Sequence, residues 1–145
     1  MISEATTTDA NKALVRRAIA YNHGAVDRAD EIFAPEFVAH MPGQPPLDRA
    51  PFEESLAAFG AGFPGYTHEI QDQVAQDDIV ANRITWRGVH GGEFAGIPAT
   101  HRPIELSGIN MFRVRDGLVA EQWVQLDIFG LLQQIGAIPR AEARD

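Results

Sequence analysis

Among the side chains able to move a proton near neutral pH, the five histidines come first, since an unperturbed imidazole titrates at about 6.5. His40 stands between a short apolar stretch and a loop rich in Pro and Gly, Met41–Leu47. That position suits the mouth of a pocket and a role as general base; the plainer alternative is a solvated or hydrogen-bonded histidine. Asp127 lies between the last apolar alternating run and the last helical run. There it either caps the helix, a role worth typically ~1 kcal/mol, or serves as a base at the pocket edge, its pKa raised by apolar neighbours. Both are the candidate catalytic residues. His90 precedes a glycine-rich segment, where a structural hydrogen bond to the Gly91–Thr100 loop is the simpler role.

The histidines His23, His40, His68, His90 and His101 are scattered, no H-x-x-x-H occurs and cysteine is absent. The spacing therefore offers no metal site, thiolate chemistry and disulfides are excluded, and no glycine-rich phosphate loop is present. No cofactor is expected. Asn110 shares its strand face with Gly108 and Phe112, and as a polar group among apolar ones it must bond either to protein or to a ligand. Trp86 is placed to line a cavity or the opposite face of its strand.

These groups need a scaffold, and the periodicity supplies one. Ala13, Leu14, Ala18, Ile19 and Tyr21 recur at helical spacing, with Thr8 or Asp9 as cap and Asn22-His23-Gly24 as stop. A short second helix is expected over Val26–Phe33, ended by Pro35, followed by a brief extended piece, Glu36–His40. Asp48 is placed to cap a third helix carrying Phe52, Leu56 and Phe59, broken by Gly60, Gly62 and Pro64. From Tyr66 the pattern alternates. A hairpin is expected through Gln76-Asp77-Asp78 into Ile79–Val89, and a second one joins Ile104–Val114 to Val119–Leu126 through Arg115-Asp116-Gly117. Ile128–Ile135 closes the pattern as a helix stopped by Gly136.

Helices first and long antiparallel strands after them predict one α+β domain over residues 1–145, with the helices on the concave face of a curved, cone-shaped sheet. Glycines at 88, 91 and 108 are where such a sheet would bend, and the hollow of the cone is the expected pocket for a small apolar organic ligand. With 145 residues, 45% of them hydrophobic and 22% charged, the chain can bury a full core. A net charge of -8 repels phosphate backbones and anionic lipid, so neither nucleic acid nor membrane is an expected partner. With no leader pattern and no run of 18 apolar residues, a cytoplasmic protein is expected.

The run Gly88-Val89-His90-Gly91-Gly92-Glu93-Phe94-Ala95-Gly96-Ile97-Pro98-Ala99-Thr100 resembles a stretch typical of the SnoaL-like polyketide cyclases, in the nuclear-transport-factor-2-like superfamily. Ser107-Gly108-Ile109, Phe112-Arg113-Val114, Asp116-Gly117, Glu121-Gln122-Trp123, Asp127, Gly130-Leu131-Leu132 and Gln134-Ile135-Gly136 follow at matching distances. The resemblance implies the cone fold and cofactor-free, aldol-type ring closure of a polycarbonyl compound. It places Val124 where those cyclases carry their aspartate base and Asn110 where they carry a histidine; Tyr21 matches their first-helix tyrosine. It also turns Gln122 into the pocket. By the same alternation Glu121 and Trp123 point outward, which suggests a homodimer through the convex face. The implied ligand contacts are thus Tyr21, Trp86, Asn110, Phe112, Gln122 and Val124. Because the aspartate is missing, a binding protein without catalysis, or a hydrolase- or hydroxylase-type relative, stands beside the cyclase expectation.

Overall fold

A computed structural model describes residues 4–139. Helix α1 (Glu4–Asn22) leads through a single 3-10 turn, Ala29–Glu31, to strand β1 (Phe33–His40) and helix α2 (Arg49–Gly62). Four strands follow, β2 (Thr67–Gln76), β3 (Ile79–Val89), β4 (Pro103–Arg115) and β5 (Leu118–Leu126), and helix α3 (Ile128–Gln134) ends the described fold. The sheet order is β1-β5-β4-β3-β2. β2 to β5 form an antiparallel meander, and β1 pairs in parallel with β5 at the edge. The α+β class and the curved sheet agree with the sequence reading.

The hairpins sit where the turn residues put them. Asp77 (φ 53°) turns β2 into β3, and Asp116 (φ 52°) with Gly117 (φ 75°) turns β4 into β5; two consecutive left-handed residues are what a two-residue turn matched to strand twist requires. Register shifts between Ile70 and Asp72, and between Arg113 and Val114, bend the ribbon.

Three local expectations are corrected. α1 already includes Thr8 and Asp9 in its interior, because no glycine or proline interrupts the preceding residues. The helix expected over Val26–Phe33 shrinks to the 3-10 turn, and the strand begins at Phe33 with Pro35 inside it. Pro35 is tolerated because an edge strand uses only one row of backbone groups. α2 runs through Gly60 and Gly62, and Asp48 makes no side-chain cap bond.

The core lies between the concave sheet face and the helices. Val15, Ala18 and Ile19 of α1 share one buried apolar cluster with Phe33, Phe37 and Phe52 and with Ile84, Phe112, Val119, Leu131 and Ile135. Each fully buried aromatic of this set contributes roughly 1.5–3 kcal/mol through removal of its surface from water. Among the described residues no helix is long and apolar enough to cross a membrane.

Candidate functional site

Between the wide end of the cone and α2 lies a cavity of about 450 Å³. Its floor is the even-numbered face of the sheet: Trp86 from β3, Leu106 and Asn110 from β4, Gln122, Val124 and Leu126 from β5. Ladder register makes this floor continuous, since Trp86 pairs with Leu106, and Asn110 with Val124. Gly108 sits among them for a steric reason. A Cβ there would lie 2.6 Å from the Gln125 carbonyl oxygen and 3.0 Å from the Trp86 ring, so only glycine fits between them. Phe52, Leu56 and Phe59 of α2 form the roof, and Met41, Pro42 and Gln44 of the loop after β1 close one side.

The other side is the Gly91–Thr100 loop, whose shape follows from its sequence. Its base is clamped by His90 N–H to Arg102 C=O and His101 N–H to His90 C=O, both at 2.9 Å. Its tip turns at Ala95 and Gly96, both with positive φ, so that Phe94 and Ile97 exchange backbone bonds of 3.0 and 2.8 Å. Gly91 and Gly92 both donate to the Gly62 carbonyl at 3.1 Å, and a Cβ on Gly92 would fall on the Ala61 carbonyl oxygen. Phe94 then packs against Phe59 and Phe63, which carries Glu93 and Ala95 to the rim of the cavity. The fully buried His90 supports the same loop, its Nδ1 accepting from the Thr100 N–H at 3.2 Å with the Thr100 hydroxyl 2.9 Å away.

Several polar groups that line this chamber are bonded to protein on one side. Asn82 donates from Nδ2 to Asn110 Oδ1 at 3.0 Å, deep in the sheet, which leaves the Asn110 amide hydrogens for the cavity. Asn22 donates to Gln122 Oε1 at 3.4 Å, which leaves the Gln122 amide hydrogens likewise. At the end of α1, His23 Nδ1 lies 2.7 Å from the Tyr66 hydroxyl, and Trp86 donates from Nε1 to His23 Nε2 at 3.1 Å. Burial, with a smaller push from neighbouring His68, holds the His23 imidazole down at about 3, so it is neutral at physiological pH. Burial likewise pushes the Tyr66 hydroxyl up and keeps it a phenol.

Of the residues singled out from sequence, Trp86, Asn110, Gln122 and Val124 line this cavity. Phe112 shares their face but is fully buried in the core beneath the floor, not part of its lining. Tyr21 opens on an adjoining chamber of about 320 Å³ and donates to Glu53 Oε1 at 3.1 Å. His40 and Asp127 stand elsewhere. His40 lies on the convex face, its Nε2 2.7 Å from Glu121 Oε2 and its ring stacked on Trp123 at 5.4 Å and 12°. Asp127 caps α3 by accepting from the Gly130 N–H at 2.9 Å. Neither lines either chamber, so the cavity gives no geometric support to a base role for either. His23, Tyr66 and Glu93 line the cavity without having stood out in the sequence. The available hint was their placement at element ends beside glycines: Gly24 after His23, Gly65 before Tyr66, Gly92 before Glu93.

The model of the SnoaL-like polyketide cyclase family matches residues 12–135. The chain belongs to that family. Its SnoaL-like sequence is 27% identical over 132 residues to the aklanonic acid methyl ester cyclase DauD of Streptomyces sp. (strain C5), covering 85% of this chain and 80% of that one. The fold is similar to that of IdmH from Streptomyces antibioticus, a candidate polyketide cyclase, at 35% identity and a TM-score of 0.75, over 87% of this chain and 98% of IdmH. AclR from Streptomyces galilaeus, a candidate hydroxylase, superposes with a TM-score of 0.82 at 25% identity, over 93% of this chain and 86% of AclR.

Proposed function

We propose that this SnoaL-like protein closes a ring in a flexible polycarbonyl compound or its ester by an intramolecular aldol step, without a cofactor. The observation that carries the reading is the cavity itself: a largely apolar chamber in which the Asn110 and Gln122 amides, whose oxygens are already bonded to protein, keep neutral hydrogen-bond donors for a guest. Asn110 and Gln122 stand on neighbouring strands near Val124, and donors so placed stabilise an enolate oxygen without a charge of their own. A methylene flanked by two carbonyls is already acidic, so a modest base suffices. Glu93 is the carboxylate among the lining residues and takes that role. The methylene proton passes to Glu93, the carbanion carbon forms a bond to a ketone carbon of the same molecule, and the carbonyl π pair moves to its oxygen, which gains a proton. The product is an isomer of the substrate.

Similarity to the aklanonic acid methyl ester cyclase makes aklanonic acid methyl ester and other methyl esters of polycarbonyl acids the first substrates to try. Incubated with such an ester, the protein is expected to yield a product of unchanged mass and altered retention in liquid chromatography with mass detection. A panel of these esters left at the buffer rate by protein that binds them would exclude the reaction. A second reading would then hold, a binding protein for an apolar metabolite, favoured by the rim position and solvent exposure of Glu93.

We also propose that two copies pair through the convex sheet face. Ile109 (55% exposed) and Met111 (38% exposed) stand there beside Trp123, which carries Arg113 over its ring at 5.3 Å. Exposed apolar side chains around a Trp and an Arg have the composition of an interface centre. Sedimentation velocity should give a dimer for the wild type and a monomer for Ile109→Arg/Met111→Glu; a monomeric wild type at tens of micromolar would exclude the pairing.

A further inference from the structure

We propose that Tyr66 is the proton donor to the substrate oxygen that becomes negative in ring closure, and that His23 is the positioning residue that turns the phenol hydrogen into the cavity; this rests on the ring-closure reading of the same chamber. The indole of Trp86 can only donate. Its Nε1–H points at His23 Nε2 from 3.1 Å, so that nitrogen must present a lone pair. A neutral imidazole carries one N–H, which therefore sits on Nδ1 and is donated to the Tyr66 oxygen 2.7 Å away. Tyr66 accepts on that side, and its own hydrogen is left to turn toward the chamber that it lines.

Geometry also keeps the arrangement from reversing. Protonating His23 on Nε2 would set two N–H donors against each other across 3.1 Å, a penalty separate from the burial that already holds the ring neutral. The other titratable groups near the ring are His68 of β2, its ring 4.3 Å away, and Glu53 of α2 across the adjoining chamber, which is occupied with Tyr21 and Arg49. Tyr66 itself is held by register. It packs over Gly88, where a Cβ would approach the tyrosine Cβ to 3.1 Å, and this glycine lets the phenol reach His23.

In the proposed step the new C–C bond forms as the attacked C=O bond opens, and its oxygen takes the Tyr66 proton. The phenolate left behind keeps the hydrogen bond from His23 Nδ1–H. The proton that Glu93 removed from the methylene returns to Tyr66 through solvent at the rim, so no net proton is gained or lost.

Two measurements test this. Tyr66→Phe should lower kcat for ring closure about 100-fold or more while KM changes less than about threefold, and His23→Leu should lower kcat about tenfold or more, with partial recovery in His23→Gln, whose amide can still offer one donor and one acceptor. Imidazole ¹⁵N spectra of the full chain at pH 7, with no substrate present, should show His23 protonated on Nδ1 alone. Wild-type turnover in Tyr66→Phe, or an Nε2–H or doubly protonated His23, would overturn the proposal. If the wild-type protein yields no isomer, the ring-closure reading fails on its own account. The donor assignment then stands if an already cyclised β-hydroxy ketone binds Tyr66→Phe about tenfold more weakly than wild type, and falls if the affinities are equal.

Discussion

Glu93→Gln should reduce kcat for ring closure about 10²–10⁴-fold, the range by which a positioned acid or base accelerates proton transfer. The substitution keeps the size and shape of the side chain and removes only its ability to take a proton. The backbone that carries residue 93 is fixed by groups the change does not touch: the Gly91 and Gly92 N–H bonds to Gly62, the His90 clamp and the Phe94 contacts with α2. Folding stability should therefore stay within about 0.5 kcal/mol of wild type, and KM should move little. Steady-state kinetics with aklanonic acid methyl ester, alongside urea unfolding of both proteins, checks both halves. Undiminished kcat would remove Glu93 from the mechanism and return the search for the base to solvent.

The second expected result concerns acid. Lowering pH from 7.5 to 5 should cost the wild-type fold about 2 kcal/mol that a His23→Gln variant does not lose. His23 has a folded pKa of about 3, below the ordinary value near 6.5 that it regains on unfolding. Between those values the unfolded chain binds a proton that the folded one refuses. The contribution is complete above about pH 6.5 and drains away as pH falls toward 3. His68, also lowered by burial, acts with the same sign and remains in the variant, so the difference between the two proteins isolates His23. Asp27, held down at about 2 by Arg17, loses its own contribution only below the ordinary carboxylate range and does not enter this window. Urea unfolding at several pH values measures the slope. Parallel curves for the two proteins would mean that His23 titrates normally and that the Trp86–His23–Tyr66 arrangement is not kept in solution.

How far the sequence reveals this molecule depends on whether the deciding contacts are local. Strands β2 to β5 are legible because alternation and the turns at Asp77 and Asp116-Gly117 act within a few residues. β1 is harder to read because Pro35 signals a break, and only its pairing with β5, at an edge far along the chain, makes proline acceptable there. Side-chain alternation also gives a face but not a depth. Asn110, Gln122 and Val124 reach the cavity, whereas Phe112, two residues from Asn110 on the same strand face, lies where the cone has closed on its core. His40 follows the same logic: its strand places the adjacent Ala39 inward and sends the imidazole to Glu121. The His23–Tyr66 contact joins residues 43 positions apart and the Trp86–His23 bond residues 63 apart, and no spacing rule announces either.

The parallel union of β1 with β5 has a consequence for how the chain comes into being. Phe33 meets Val119, and His40 meets Trp123, so more than eighty residues must leave the ribosome between the two partners. At about 5–20 residues per second that interval lasts several seconds, during which β1 has only nearby chain such as Leu47 and Phe52 beside it and lacks the strand it finally pairs with. The hairpins from β2 onward can form in the meantime, and the first strand then joins a sheet already built by its successors. Nascent chains stalled before residue 118 should for this reason depend on chaperones that full-length chains no longer need.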